Sequence, residues 1–157
     1  MAHIVILGAG TGGMPAAYEM RATLPREHRV TMINALPDFQ FVPSNPWVAV
    51  GWRERAQVSF PIRPHLEKKG IEFIAQRVQR IDAPANALEL ADGTRVAYDY
   101  LVITTGPKLA FDEVPGAGAD ANTLSLRTYD HPEHVCGRSQ EYLKNPGPAV
   151  IGAMPGA

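Results

Sequence analysis

Short apolar runs alternate with amphipathic stretches and polar turns along the chain, a pattern that predicts an α/β fold. Ile4-Val5-Ile6-Leu7 is an unbroken apolar run rich in β-branched residues, and it reads as a strand buried on both faces. Met14, Ala17, Tyr18 and Leu24 then fall on one side of a helix, with Glu19, Arg21 and Arg26 elsewhere. Arg29 to Ile33 is the second strand, Phe60 to Gly70 a short helix stopped by Gly70, and Ile71 to Ile74 the third strand. Gln76 to Ile81 opens a small antiparallel sheet. It continues into the hairpin Ala87 to Leu90, turning at Ala91-Asp92-Gly93-Thr94 and returning through Arg95-Val96-Ala97. Tyr100 to Thr104 is a further apolar strand, and Pro132 to Leu143 reads as a helix with Asp130 as its N-cap. The expected architecture is a parallel sheet of strands near 3–7, 29–33, 71–75 and 100–104, with helices on its faces and an antiparallel sheet over 77–97.

The first strand runs straight into G-x-G-x-x-G at Gly8, Gly10 and Gly13, and a helix follows. The three glycines serve different physical ends. Gly8 makes the tight turn, Gly10 lets a pyrophosphate reach the backbone, and Gly13 lets the helix close on the strand. Ala9, Thr11 and Gly12 complete the loop, whose N–H groups at the helix N-terminus face the phosphates. Pro15 sits in the first turn, where its missing N–H costs little. A glycine-rich turn with no ligand is the alternative. The strand–turn–helix context favours dinucleotide binding.

The end of the second strand normally offers a carboxylate to the adenosine ribose. Here Asn34 and Ala35 occupy that place. An amide bonds a hydroxyl without charge assistance, and no arginine follows to favour a 2′-phosphate. The strand ending in Thr104-Thr105-Gly106 adds a second signal, because flavoproteins with two dinucleotide domains carry such a turn close to FAD.

Between these motifs lies Asp38-Phe39-Gln40-Phe41-Val42-Pro43-Ser44-Asn45-Pro46-Trp47 and its continuation to Trp52. With the opening MAHIVILGAGTGGMPAAYEM, FPIR, GIEFIAQ, YDYLVITTGPKLAF and the closing PGPAVIGAMPGA, it resembles the bacterial sulfide:quinone oxidoreductases. Flavocytochrome c sulfide dehydrogenases and type II NADH dehydrogenases share the general plan. The resemblance implies a Rossmann-like FAD-binding domain over 1–110, a connecting loop and helix over 111–145, and the first strand and turn of a second nucleotide-binding domain over 146–157. It places Val42, Pro43 and Ser44 at the cofactor, and the backbone of Arg77 and Val78 against the adenine. In the intact family, electrons pass from sulfide through FAD to quinone in an enzyme peripheral to the bacterial inner membrane.

The family handles sulfane sulfur with a pair of redox cysteines, and Cys136 is the single cysteine of this chain, matching neither position. Some relatives carry a third cysteine where Arg127 stands. His131 matches a histidine that relatives place near the sulfide-side chemistry, and an imidazole could move protons there; as the first residue of a helix it could equally face solvent. A length of 157 residues and a strand at Ala149 to Gly152 without its crossover lead to the expectation of a truncated chain, inactive by itself. A catalytically silent nucleotide-binding fragment is the alternative.

Composition changes little. A net charge of −1 with acids and bases interspersed argues against a nucleic-acid partner. No apolar run approaches the roughly 20 residues of a membrane span, and a strand beginning at residue 3 leaves no room for a signal peptide. A soluble chain is expected, with any membrane contact made by the missing part. His3, His28, His65 and His134 lack metal-ligand spacing, so no metal site is expected. Phe41, Trp47 and Trp52 could form an interfacial patch; flanked by Pro43, Pro46 and Gly51, they are read as a packed turn-helix near the flavin.

Overall fold

The computed structural model describes residues 1–118, 123–127 and 131–152. In chain order its elements are β1 (His3–Leu7), α1 (Gly13–Thr23), β2 (Arg29–Asn34), β3 (Asp38–Gln40), α2 (Asn45–Ala49), β4 (Ser59–Pro61) and α3 (Ile62–Glu67). They continue with β5 (Glu72–Ala75), β6 (Val78–Asp82), β7 (Ala87–Leu90), β8 (Arg95–Ala97), β9 (Tyr100–Ile103) and α4 (His131–Lys144). Two compact units result, one of residues 1–41 and 56–110, the other of residues 42–55 and 111–157.

The first unit is built on a four-stranded sheet in the order β5-β2-β1-β9. Every pairing is parallel, with His3 opposite Arg29, Ile4 opposite Tyr100 and Thr31 opposite Glu72. Side chains alternate across a strand, so β1 sends Val5 and Leu7 to one face and Ile6 to the other. Ile6 joins Met14 and Ala17 of α1, Met32, Ile62 and Leu66 of α3, and Phe73 in one core. Val5 and Leu7 join Ile33, Leu88 and Leu90 in a second core beneath the antiparallel sheet β6-β7-β8. Burial on both faces is why β1 reads as a continuous apolar run. Each such side chain contributes about 2 kcal/mol when fully buried.

Several sequence expectations are corrected. Phe60 and Pro61 belong to β4, and the helix starts only at Ile62; Phe60 stacks on Phe39 of β3 with ring centroids 4.8 Å apart. Arg21, assigned to the polar side of α1, is 6% exposed. Its guanidinium donates to the carbonyls of His28 at 2.6 Å, Leu24 at 2.9 Å and Pro25 at 2.7 Å, so it closes the turn that leads into β2. Gly70 does end the α3 region, with φ +74°. Ala149 to Gly152 form no strand and pair with none among the described residues, and Val150 and Ile151 are 96% and 99% exposed; without a neighbouring strand no ladder holds the segment.

In the second unit, Gly51 adopts φ +74° and an added Cβ there would stand 3.5 Å from Cys136 Sγ. The Asn45 side-chain amide donates to the Leu126 carbonyl at 2.5 Å, and Arg55 pairs with Glu133 at 3.1 Å. The aromatic expectation is only half met. α2 is a helix preceded by a tight turn, yet Trp47 and Phe41 are exposed and Trp52 is 77% exposed, with Arg53 over the Trp47 ring at 5.0 Å. The proposed N-cap Asp130 and the closing turn from Ala153 to Ala157 lie outside the described residues.

Candidate functional site

The glycine turn leaves β1 at its C-terminal end and is held from both neighbouring strands. From β2, the Ile33 carbonyl accepts the Gly8 N–H at 2.8 Å, and Asn34 Oδ1 accepts the Ala9 N–H at 3.1 Å. Directly after β9, the Thr104 N–H donates to the Leu7 carbonyl at 2.8 Å, while its hydroxyl reaches Leu7 O at 3.0 Å and Gly8 O at 2.8 Å. Gly8 has φ +104°, and a Cβ there would stand 2.5 Å from the Thr104 carbonyl oxygen. A Cβ on Gly13 would overlap the Gly8 carbonyl oxygen. These two glycines are therefore required by the fold itself.

Gly10 is different. A Cβ added there meets no atom within 4 Å, so its outer side is open space. Among the described residues, the N–H groups of Gly10, Thr11 and Gly12 donate to no backbone carbonyl. Open space and unspent donors at a helix N-terminus are what an anionic pyrophosphate requires. The residues present fit a dinucleotide.

A cleft of about 410 Å³ lies beside the turn, lined by Gly8, Asn34, Ala35, Arg77, Val78 and Thr105 among others. Six of the residues singled out in the sequence thus converge in the first unit, although they come from the ends of β1, β2 and β9 and from the start of β6. Gln76 and Gln79 to Ile81 line the same cleft and escaped the sequence reading as site residues, because a short, mostly exposed polar strand carries no ligand-specific mark. Gly106 follows with φ +71°. The Asn34 amide is engaged on both sides, since Nδ2 donates to the Leu36 carbonyl at 2.8 Å.

Val42, Pro43 and Ser44 form a tight 3-10 turn ahead of α2 in the second unit, with Ser44 buried. His131 opens α4 in that unit, its ring 6.0 Å from that of Phe111 and its Nδ1 buried without a hydrogen-bond partner among the described residues. Cys136, on the same helix, is half-buried. Among the described residues, no group of three or more His, Cys, Asp or Glu side chains could hold a metal ion, and no helix is long and apolar enough to cross a membrane.

At the opposite end of the sheet, Arg29 grips Glu72 through two nitrogens at 2.5–2.9 Å. The Thr31 hydroxyl donates to Glu72 at 3.1 Å, and His3 Nε2 lies 2.8 Å from that hydroxyl. A carboxylate only accepts, so Thr31 spends its single proton on Glu72 and His3 must donate from Nε2. The Arg29 bond, aided by Thr31, holds the Glu72 carboxyl below the usual range, while burial and then the Arg29 charge push His3 down. This cluster stabilises the sheet and lies away from the cleft.

A parallel sheet whose interior strand ends in an open, clamped glycine turn defines a dinucleotide-binding protein of the Rossmann-like class. The chain belongs to the pyridine nucleotide-disulphide oxidoreductase family, whose pattern matches residues 2–153. It is 42% identical to the sulfide-quinone reductase of Aquifex aeolicus over 98% of its own length and 35% of that protein's. It is 24% identical to the mitochondrial sulfide:quinone oxidoreductase of Dictyostelium discoideum over 97% of its length and 34% of that protein's. The crystal structure of the Aquifex aeolicus sulfide:quinone oxidoreductase superposes with a TM-score of 0.90 at 41% identity, covering 99% of this chain and 35% of the other. The chain thus spans about a third of the length of the curated relatives it matches.

Proposed function

We propose that these residues form the FAD-binding part of an oxidoreductase of the sulfide:quinone type, in which sulfide is oxidised to sulfane sulfur and electrons pass through FAD to quinone. The observation that carries the reading is the open face of Gly10 beside unspent backbone donors, in a chain 42% identical to a sulfide-quinone reductase along 98% of its length. When bound, FAD supplies two-electron redox chemistry.

The chain's own residues bind and orient. The N–H groups of Gly10 to Gly13 take the pyrophosphate, and the positive end of α1 favours its charge. Ala35 and the end of β2 border the adenosine ribose, and the backbone of Arg77 and Val78 borders the adenine. Thr104, Thr105 and Gly106 close the other flank of the turn. Val42, Pro43 and Ser44 are assigned to the flavin side from the family resemblance, and His131 to proton handling near the sulfide chemistry. Its Nδ1, buried without a hydrogen-bond partner among the described residues, supports that assignment.

The test is flavin titration followed by fluorescence quenching. The unaltered chain should saturate with FAD, and Gly10→Val should not, because a branched side chain would fill the space the pyrophosphate takes. Equal retention by both chains refutes the assignment. For the substrate pair, the reading frame beyond codon 157 decides. A continuation encoding a second domain with a cysteine pair supports sulfide chemistry, and a continuation without one overturns it.

A further inference from the structure

Asn34 stands where a ribose-binding carboxylate is expected, yet its side chain is already spoken for. Oδ1 accepts the Ala9 N–H at 3.1 Å and Nδ2 donates to the Leu36 carbonyl at 2.8 Å. The two partners fix the amide's orientation without ambiguity, because an N–H can meet only the oxygen and a carbonyl only the nitrogen. A carboxylate could satisfy the first partner and would repel the second. Among the described residues, no other side chain of β2 hydrogen-bonds the loop from Gly8 to Gly13, and Ala9 is the residue directly before the open Gly10.

We propose that Asn34 is a positioning residue of the glycine turn rather than the ribose ligand. Its amide ties the turn to the 34–36 corner, sets the direction of the Gly10 to Gly12 N–H groups, and leaves recognition of the ribose hydroxyls to other groups at the cleft. The inference rests on the assignment of the cleft to a dinucleotide. It departs from the expectation that the residue ending β2 contacts the ribose itself.

Amide hydrogen exchange on the full chain tests the brace without any ligand. In Asn34→Ala, the Ala9 N–H should exchange roughly tenfold faster or more, the consequence of losing its one acceptor, while the Val5 N–H inside β1 stays as slow as in the unaltered chain. Asn34→Asp, which keeps an acceptor for Ala9, should restore most of that protection. Unchanged protection at Ala9 in Asn34→Ala overturns the proposal. A second arm compares FAD with an analogue whose adenosine ribose lacks the 2′-hydroxyl. Asn34→Ala should weaken both ligands by the same factor. If the penalty for the missing hydroxyl vanishes in the variant, the hydroxyl contact runs through Asn34 and the proposal falls. An unaltered chain that binds neither ligand refutes the dinucleotide assignment and leaves the Ala9 result standing, so the two failures are distinct.

Discussion

The Thr104 hydroxyl donates to the Gly8 carbonyl across 2.8 Å, although the two residues lie 96 positions apart in the chain. The same oxygen also reaches Leu7 O at 3.0 Å, so one side chain just past the end of β9 holds both the last residue of β1 and the first of the turn. Gly8 cannot carry a side chain on that flank, because a Cβ would run into the Thr104 carbonyl. The hydroxyl and the bare glycine are thus two halves of a single contact.

Replacing Thr104 with Val keeps the shape and removes the donor. Stability should fall by about 1–2 kcal/mol, the cost of leaving part-buried carbonyls short of a partner. FAD affinity should fall with it, and Thr104→Ser should retain most of both. Urea midpoints and flavin titration read the two effects, and an unchanged midpoint in Thr104→Val contradicts the clamp.

The glycines separate by role. Gly13→Ala should cost at least about 2 kcal/mol, since its Cβ overlaps the Gly8 carbonyl oxygen and the backbone must shift. Gly10→Val should leave stability within about 0.5 kcal/mol, because nothing stands within 4 Å of the new Cβ, while flavin binding is lost. Thermal melts of the two apo variants check the contrast. Equal destabilisation would show that Gly10 serves the fold.

Arg21 spans three carbonyls with a planar fork, which a lysine ammonium cannot reproduce. Arg21→Leu and Arg21→Lys should each lose about 2–4 kcal/mol, a fall in Tm of roughly 4–16 °C for a chain of this size. A Tm within about 1 °C of the unaltered chain would refute the closing role given to this guanidinium.

Acid should weaken the fold through the Arg29 cluster. His3 is held below its ordinary 6.5 and Glu72 below its ordinary 4.5, so both take up protons more readily when the chain is unfolded. The contribution of His3 is complete above 6.5 and lost as pH falls through its lower folded value; that of Glu72 is complete above 4.5 and lost further down. Tm should therefore drop in two stages on acidification. In His3→Gln, which keeps a donor for Thr31, the upper stage should disappear. A variant whose Tm tracks the unaltered chain between about pH 7 and pH 5 would contradict the linkage.

β1 was legible because burial on both faces turns it into a plain apolar run, the other parallel strands because each carries a short apolar stretch, and the hairpin because Asp92-Gly93 supplies its turn, with Gly93 at φ +83°. The glycine turn was legible in part from local demands, the positive φ of Gly8 and the closeness of Gly13 to the Gly8 carbonyl, whereas the approach of Thr104 to Gly8 comes from 96 positions away. What stayed hidden depends on contacts distant in sequence. β3 and β4 are three residues each and exist through pairings such as Phe39 with Phe60, which no local period records. Arg21 looks like any surface charge until the turn from Leu24 to His28 wraps carbonyls around it. Asn34 could be placed at the cleft by position alone, whereas its engagement with Ala9 and Leu36 depends on how the turn folds back.

β1 is paired along both edges and covered on both faces, and the glycine turn continues from it without a hinge. The segment proposed to meet the phosphates therefore has little conformational entropy left to lose. Flexible loops must be ordered by their ligands, and that ordering subtracts from affinity. Here folding has already met the cost, so the backbone donors are aimed before any nucleotide arrives.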